Sequence, residues 1–148
     1  MFSKEEASLL RKEFWTSFGK SFPRKWLLYN TDIKGLNFKF VADRKTALVC
    51  LDLEHTDEIA NELLYEQLLS LQSILSTEYL PEIIIDKTYK LESGKVIARI
   101  YVEHTQKFSI HNKNTWKECY EFFVASMSQF ELFFHEYEAH LDSELNSE

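Results

Sequence analysis

The chain has only three glycines and two prolines among its 148 residues, and no stretch is enriched in Ser, Gly or Pro. That scarcity excludes a flexible interdomain linker and a glycine-rich phosphate loop, because both need backbone freedom that other residues lack. Cysteine is equally sparse. Cys50 and Cys119 fall in a predicted strand and a predicted helix, where they suit small buried hydrophobes better than a disulfide framework or a metal clip. No apolar run reaches the length of a membrane span. The opening segment MFSKEEASLLRKEFW mixes charges into its apolar residues, where a secretory signal needs an unbroken apolar core. The expectation is a cytoplasmic chain with no membrane partner.

Positive charge is missing beyond Lys117. The formal net charge is -7, and it is unevenly laid out: residues 1–50 hold ten Lys or Arg against five Asp or Glu, whereas residues 51–148 hold seven against nineteen. Two readings follow. Basic and acidic surfaces can lie close in the fold and offset one another. Alternatively, the basic and aromatic stretch around Lys20, Arg24, Lys25 and Trp26 meets an anionic partner, with cations for phosphates and flat rings for bases. A packing segment that buries Trp26 under the Lys stems has the same composition.

What the chain does have is a helical seam. Trp116, Tyr120, Phe123, Met127, Phe130, Phe134, Tyr137 and Leu141 recur at alternating steps of four and three, which only the helical period brings onto one stripe. Thr115 with Glu118 forms a capping-box pattern in front of it. The predicted helix, residues 115–141, is about 40 Å long at 1.5 Å per residue. Beyond Lys117 the helix presents acids only, among them Glu121, Glu131 and Glu136. A second capping box, Ser3 with Glu6, opens a helix over residues 4–19 that Gly19 is expected to end. Leu36, Phe38 and Phe40 alternate with polar residues, and a turn at Asp43 and Arg44 leads into residues 46–54, giving a first hairpin. Asp57 starts a helix whose stripe of Ala60, Leu64, Leu68, Leu71 and Leu75 carries it to about residue 76. A second hairpin, residues 83–104, turns at Ser93-Gly94.

These elements make a single α+β domain over residues 1–148, a two-layer sandwich in the order α-β-β-α-β-β-α. Its mainly antiparallel four-stranded sheet carries the helices on one face. If Ser93 and Gly94 are the loop, cross-strand partners sum to 187, which sets Leu91, Tyr89 and Ile85 on the apolar face opposite Val96, Ala98 and Val102. The other face collects Asp52, Glu54, Asp86, Arg99, Tyr101 and Glu103. Such a surface can pair its own charges, or it can hold Mg²⁺ or a proton-transfer group. The two strands ending LDLEH at 51–55 and IYVEH at 100–104 suggest that Glu54 approaches Glu103, or His55 approaches His104. No metal site and no cofactor are assigned. His135-Glu136 with His140 misses the zinc-protease spacing, since a step of five turns the second imidazole about 140° away. Neither Glu54 nor Asp86 is followed two residues later by a Lys, as a restriction-nuclease core requires.

A helix as long as the domain raises the question of what covers Phe122, Leu132 and Phe133. Either the other helices do so within the monomer, or two copies pack through the Trp116 to Leu141 helix as a homodimer.

Five stretches, EFWTSFGK at 13–20, KWLLYN at 25–30, LDLEH at 51–55, NKNTW at 112–116 and FELFF at 130–134, resemble a family of short, uncharacterised bacterial proteins, mainly from Bacteroidetes, classed as a domain of unknown function. The resemblance carries no catalytic residues. A similar domain stands at the C-terminal end of larger, nuclease-like proteins, which implies an accessory role linked to nucleic-acid handling by analogy alone. The leading expectation is therefore a non-enzymatic interaction or accessory domain, dimeric or bound to a protein or nucleic-acid partner. The competing one is a metal-dependent nucleic-acid-processing enzyme using Asp52, Glu54 and Glu103.

Overall fold

The computed structural model describes residues 2–146, with side chains through Leu141. Helix α1 spans Lys4–Ser21, and its capping box is formed as the sequence specifies: the Ser3 Oγ accepts from the Glu6 N–H while the Glu6 carboxylate accepts from Ser3 N–H. The helix runs through Gly19. A Cβ at Gly19 would meet nothing within 4 Å, so that residue sits on an open helical surface with no turn to make.

Strands β1 (Leu36–Ala42) and β2 (Ala47–Leu53) form the first hairpin, tightened by the Asp43 carboxylate, which accepts from the Lys45 and Thr46 N–H groups. Helix α2 (Glu58–Ser70) starts at Asp57, whose Oδ1 accepts from Ile59 and Ala60. It does not continue unbroken to residue 76. A short turn α3 (Gln72–Ile74) passes into a π-helical turn at Leu75–Tyr79, so the stripe predicted for one helix is delivered by three pieces that still bury Leu64, Leu68, Leu71 and Leu75. Strands β3 (Ile84–Lys90) and β4 (Val96–Glu103) follow, and α4 (Trp116–Asn146) closes the chain.

The four strands form one antiparallel sheet in the order β1-β2-β4-β3. The α+β class and the element order thus agree with the sequence reading. One face, carrying Phe38, Val49, Leu51, Leu53, Ile100 and Val102, shares a hydrophobic core with Phe14 and Phe18 of α1, Leu64 and Leu68 of α2, and the α4 seam. Seven of the eight seam residues are buried, and Tyr137 is half-buried. Phe14 sits at the centre of the aromatic packing, within 5.2 Å of the rings of Trp15, Trp116 and Tyr120. Phe133 is covered within the chain, edge-on to Tyr79 at 5.5 Å, and Phe122 lies against the His104 ring at 5.0 Å. Leu132 alone of the three flanking apolar residues is exposed, at 56%.

The second hairpin departs from its expected register. Partners sum to 185 from Ile84↔Tyr101 to Asp86↔Arg99 and to 186 at Tyr89↔Ile97 and Lys90↔Val96, with a bulge between Asp86 and Tyr89. The loop is longer than two residues, because Leu91 donates to the Lys95 carbonyl and Gly94 donates back to Leu91. One consequence concerns Tyr89. The bulge moves it off the apolar face that simple alternation gives it and sets it beside Arg99 and Tyr101.

Candidate functional site

The sheet face turned away from the helices carries Asn37 and Lys39 of β1, Leu48, Cys50 and Asp52 of β2, Ile97, Arg99, Tyr101 and Glu103 of β4, and Ile84, Asp86 and Tyr89 of β3. No residue of this face belongs to the core cluster, yet Cys50, Asp52, Leu48, Ile97 and Arg99 are buried. Neighbouring side chains provide the cover.

The centre of the face is an ionic chain. Asp52 is fully buried and pairs with Arg99 through two bonds, Nε to Oδ1 at 2.7 Å and Nη2 to Oδ2 at 2.9 Å. Lys39 Nζ lies 3.1 Å from Asp52 Oδ2 and 2.9 Å from the Glu54 carboxylate, which also accepts from Asn37 Nδ2 at 3.2 Å. Two cations thus meet two carboxylates in a line, Arg99-Asp52-Lys39-Glu54. A fork-to-fork Arg-carboxylate pair fixes both planes. Burial alone would lower the Arg99 and Lys39 pKa values, but the hydrogen bonds and charges of Asp52 and Glu54 outweigh it and hold both above their usual ranges. Burial works against the ionised Glu54 too, and the bonds from Lys39 and Asn37 still hold its pKa below the usual carboxylate value. Cys50 beneath the array is pushed well up by burial, which keeps it a thiol.

Aromatic groups flank the chain of charges. The Arg99 guanidinium lies 4.4 Å from the Tyr89 ring centroid, and Tyr89 meets Tyr101 edge-on at 5.6 Å. Both tyrosines are half-buried and Ile84 beside them is exposed. Asp86 stands opposite Arg99 in the register, but its Oδ1 accepts from the Thr88 N–H at 3.0 Å within the bulge.

The register also separates residues that the sequence seemed to pair. Strands β2 and β4 are antiparallel neighbours, so their LDLEH and IYVEH ends lie at opposite ends of the sheet. Glu103 stands opposite Leu48, six residues from Glu54, which is roughly 20 Å along a strand. Glu54 therefore does not approach Glu103, nor His55 His104. Asp52, Glu54 and Glu103 cannot converge on one ion, and among the described residues no group of three His, Cys, Asp or Glu is placed to hold a metal.

The basic stretch is divided in the same way. Arg24 Nη2 bonds Glu131 Oε1 at 2.7 Å, and the Arg24 guanidinium stacks 4.1 Å from the centroid of the buried Trp26 ring. Glu131 Oε2 accepts from the Leu27 N–H at 2.8 Å. These contacts belong to packing. Lys20 and Lys25 are exposed. Glu131, one of the acids that the sequence puts on the long helix, is 5% exposed and clips the segment after α1 onto α4, so that here a basic and an acidic surface do lie close and offset one another. Nothing local marks it for that role, since its partners stand more than one hundred residues earlier in the chain.

A family model described as a domain of unknown function, DUF4268, matches residues 10–138. The chain belongs to the DUF4268 family. The match takes in the whole sheet, α2 and most of α1 and α4, so the ionic face of this DUF4268 domain lies inside the matched region. No curated protein and no solved structure matches the chain.

Proposed function

We propose that this DUF4268 domain is a non-enzymatic interaction module that pairs with a second copy of itself through the outer sheet face. The observation that carries the reading is the closed ionic chain at the centre of that face. Each of its carboxylates is already engaged by a cation, so the array offers a rigid surface in place of a free acid, base or ligand set. Its charges cancel. The whole chain carries -7, and beside the neutral array this face adds the acids Asp86 and Glu103, fewer than the exposed Glu118, Glu121, Glu136 and Glu138 of α4, so two copies meet with less repulsion here than across the outside of α4. Arg and Tyr are the residue types that dominate interface energetics, and here Arg99, Tyr89 and Tyr101 are held in place before any partner arrives. The family resemblance adds an accessory role beside a catalytic partner, which is compatible with a self-pairing platform.

Light scattering across a concentration series tests this. A mass near twice 17.6 kDa that falls to one chain in Tyr101→Glu supports the outer face. Loss of the dimer in Leu132→Glu alone would transfer the interface to α4. A single-chain mass at every concentration would overturn self-pairing.

A further inference from the structure

The ladder between β2 and β4 stops one pair early. It runs from Leu48↔Glu103 to Leu53↔Ala98, and just outside it the His104 N–H donates to the Ala47 carbonyl at 2.9 Å. Antiparallel hydrogen bonds alternate along a strand, so the even-numbered residues of β4, Val96 included, turn their N–H and C=O towards β2. In that register Val96 would pair with residue 55. His55 has left the sheet: its N–H donates to Asn61 Oδ1 at 3.0 Å and its Nδ1 accepts from the Asp57 N–H at 2.9 Å. Gly35, at φ +83°, leaves room for the departure, because a Cβ there would lie 2.6 Å from the His55 Cα, and its carbonyl accepts from the Glu54 N–H at 2.7 Å. On its other side β4 bonds β3 through odd-numbered residues, as the Leu91 N–H to Lys95 carbonyl bond shows. The backbone N–H of Val96 therefore has no hydrogen-bond partner among the described residues.

Where the next residue of β2 would lie there is a cleft of about 550 Å³, a size typical of binding sites. Leu53 and Ala98, on the face of the sheet turned to the helices, give it an apolar floor, Ile97 lines it from the outer face, and Tyr65 of α2 also lines it. Val96, at its edge, is 55% exposed. The charges around it are largely matched, with Lys87 bonded to Glu62 at 2.7 Å and Glu54 to Lys39. An apolar floor, a pair of unused main-chain groups and no excess charge of one sign suit uncharged main chain better than a small ion.

We infer that this cleft receives an extended peptide from a partner protein, which adds as a short strand beside β4 in the place that β2 vacates. The peptide main chain bonds the Val96 N–H and C=O, and one apolar side chain sits on the Leu53 and Ala98 floor. The cleft opens at the end of the sheet, so this inference stands apart from the self-pairing proposed above.

The test pans a random heptapeptide phage library against the full chain and then follows the Val96 amide by hydrogen exchange. The expected result is enrichment of sequences with an apolar residue among uncharged neighbours, and a Val96 exchange rate at least tenfold slower with the synthetic peptide bound. N-methylating the peptide one residue at a time should cost tenfold or more in affinity at the position facing Val96. Val96→Pro, which removes a donor that β3 does not use, should do the same with the fold retained. No enrichment, an unchanged Val96 rate, or binding that survives every N-methylation would overturn the inference. Val96 protection that grows with protein concentration alone would assign the cleft to a second copy and also overturn it.

Discussion

Arg99 and Asp52 face each other across β4 and β2 and meet through two hydrogen bonds of 2.7 and 2.9 Å, on the side of the sheet that no helix covers. Replacing Arg99 by Met leaves Asp52 buried with Lys39 as its remaining cation. The expected cost is about 3 kcal/mol, the low end for stranding one partner of a buried pair. Replacing both residues with apolar ones of similar volume should cost much less. Urea unfolding of Arg99→Met, Asp52→Leu and the double variant checks this through the coupling between them.

Glu131→Gln should loosen the segment between α1 and β1. The carboxylate holds Arg24 and the Leu27 N–H, and hydrogen bonds to charged groups contribute about 1.5–3 kcal/mol. The variant should remain folded, with a lower melting temperature and faster exchange at the Leu27 amide. Unchanged exchange there would show that Trp26 packing alone carries the segment.

Gly35→Ala should be costly out of proportion to its size. The residue sits at φ +83° and the new methyl carbon would lie 2.6 Å from the His55 Cα; backbone strain alone is worth about 1–3 kcal/mol. Gly19→Ala, on an open helical surface, should stabilise by up to about 1 kcal/mol. Thermal melts of the two variants should move in opposite directions.

His104 gives the stability a dependence on mild acid. Burial between Phe108 and Phe122 lowers its pKa below the ordinary 6.5, with Glu118 opposing weakly. The unfolded chain therefore takes up the proton first. The stability contributed by the neutral ring is complete above about 6.5 and is lost as the pH falls through the lower folded value. Melting temperature should decline between pH 7 and 5, and His104→Phe should flatten that limb. The loss tied to Glu54 and Asp43, whose pKa values are also lowered, should come at still lower pH and survive the substitution.

How much of this was legible depends on the range of each signal. The α4 seam and the Ser3 capping box are local patterns repeated at a helical period, and both appear where residue spacing puts them. The outer-face residues Asp52, Arg99 and Tyr101 follow from alternation and do come together. Tyr89 does not follow, because a single bulge reverses the facing of every residue beyond it. The Glu54 to Glu103 pairing fails for a different reason: similar strand ends look equivalent in sequence, while the strand order and direction that separate them are tertiary facts. Glu131 and the open Val96 amide lie outside local pattern altogether.

The Glu131 clip also bears on how the chain is made. Arg24 and Leu27 meet a partner more than one hundred residues later, and Phe14 packs against Trp116 and Tyr120. A ribosome releases the first helix and both hairpins well before the residues that cover them. Until the last quarter of the protein emerges, β1 and the aromatic side of α1 stand uncovered, a state in which nascent chains depend on chaperones. Truncation anywhere before α4 should yield an aggregating fragment with no smaller folded core.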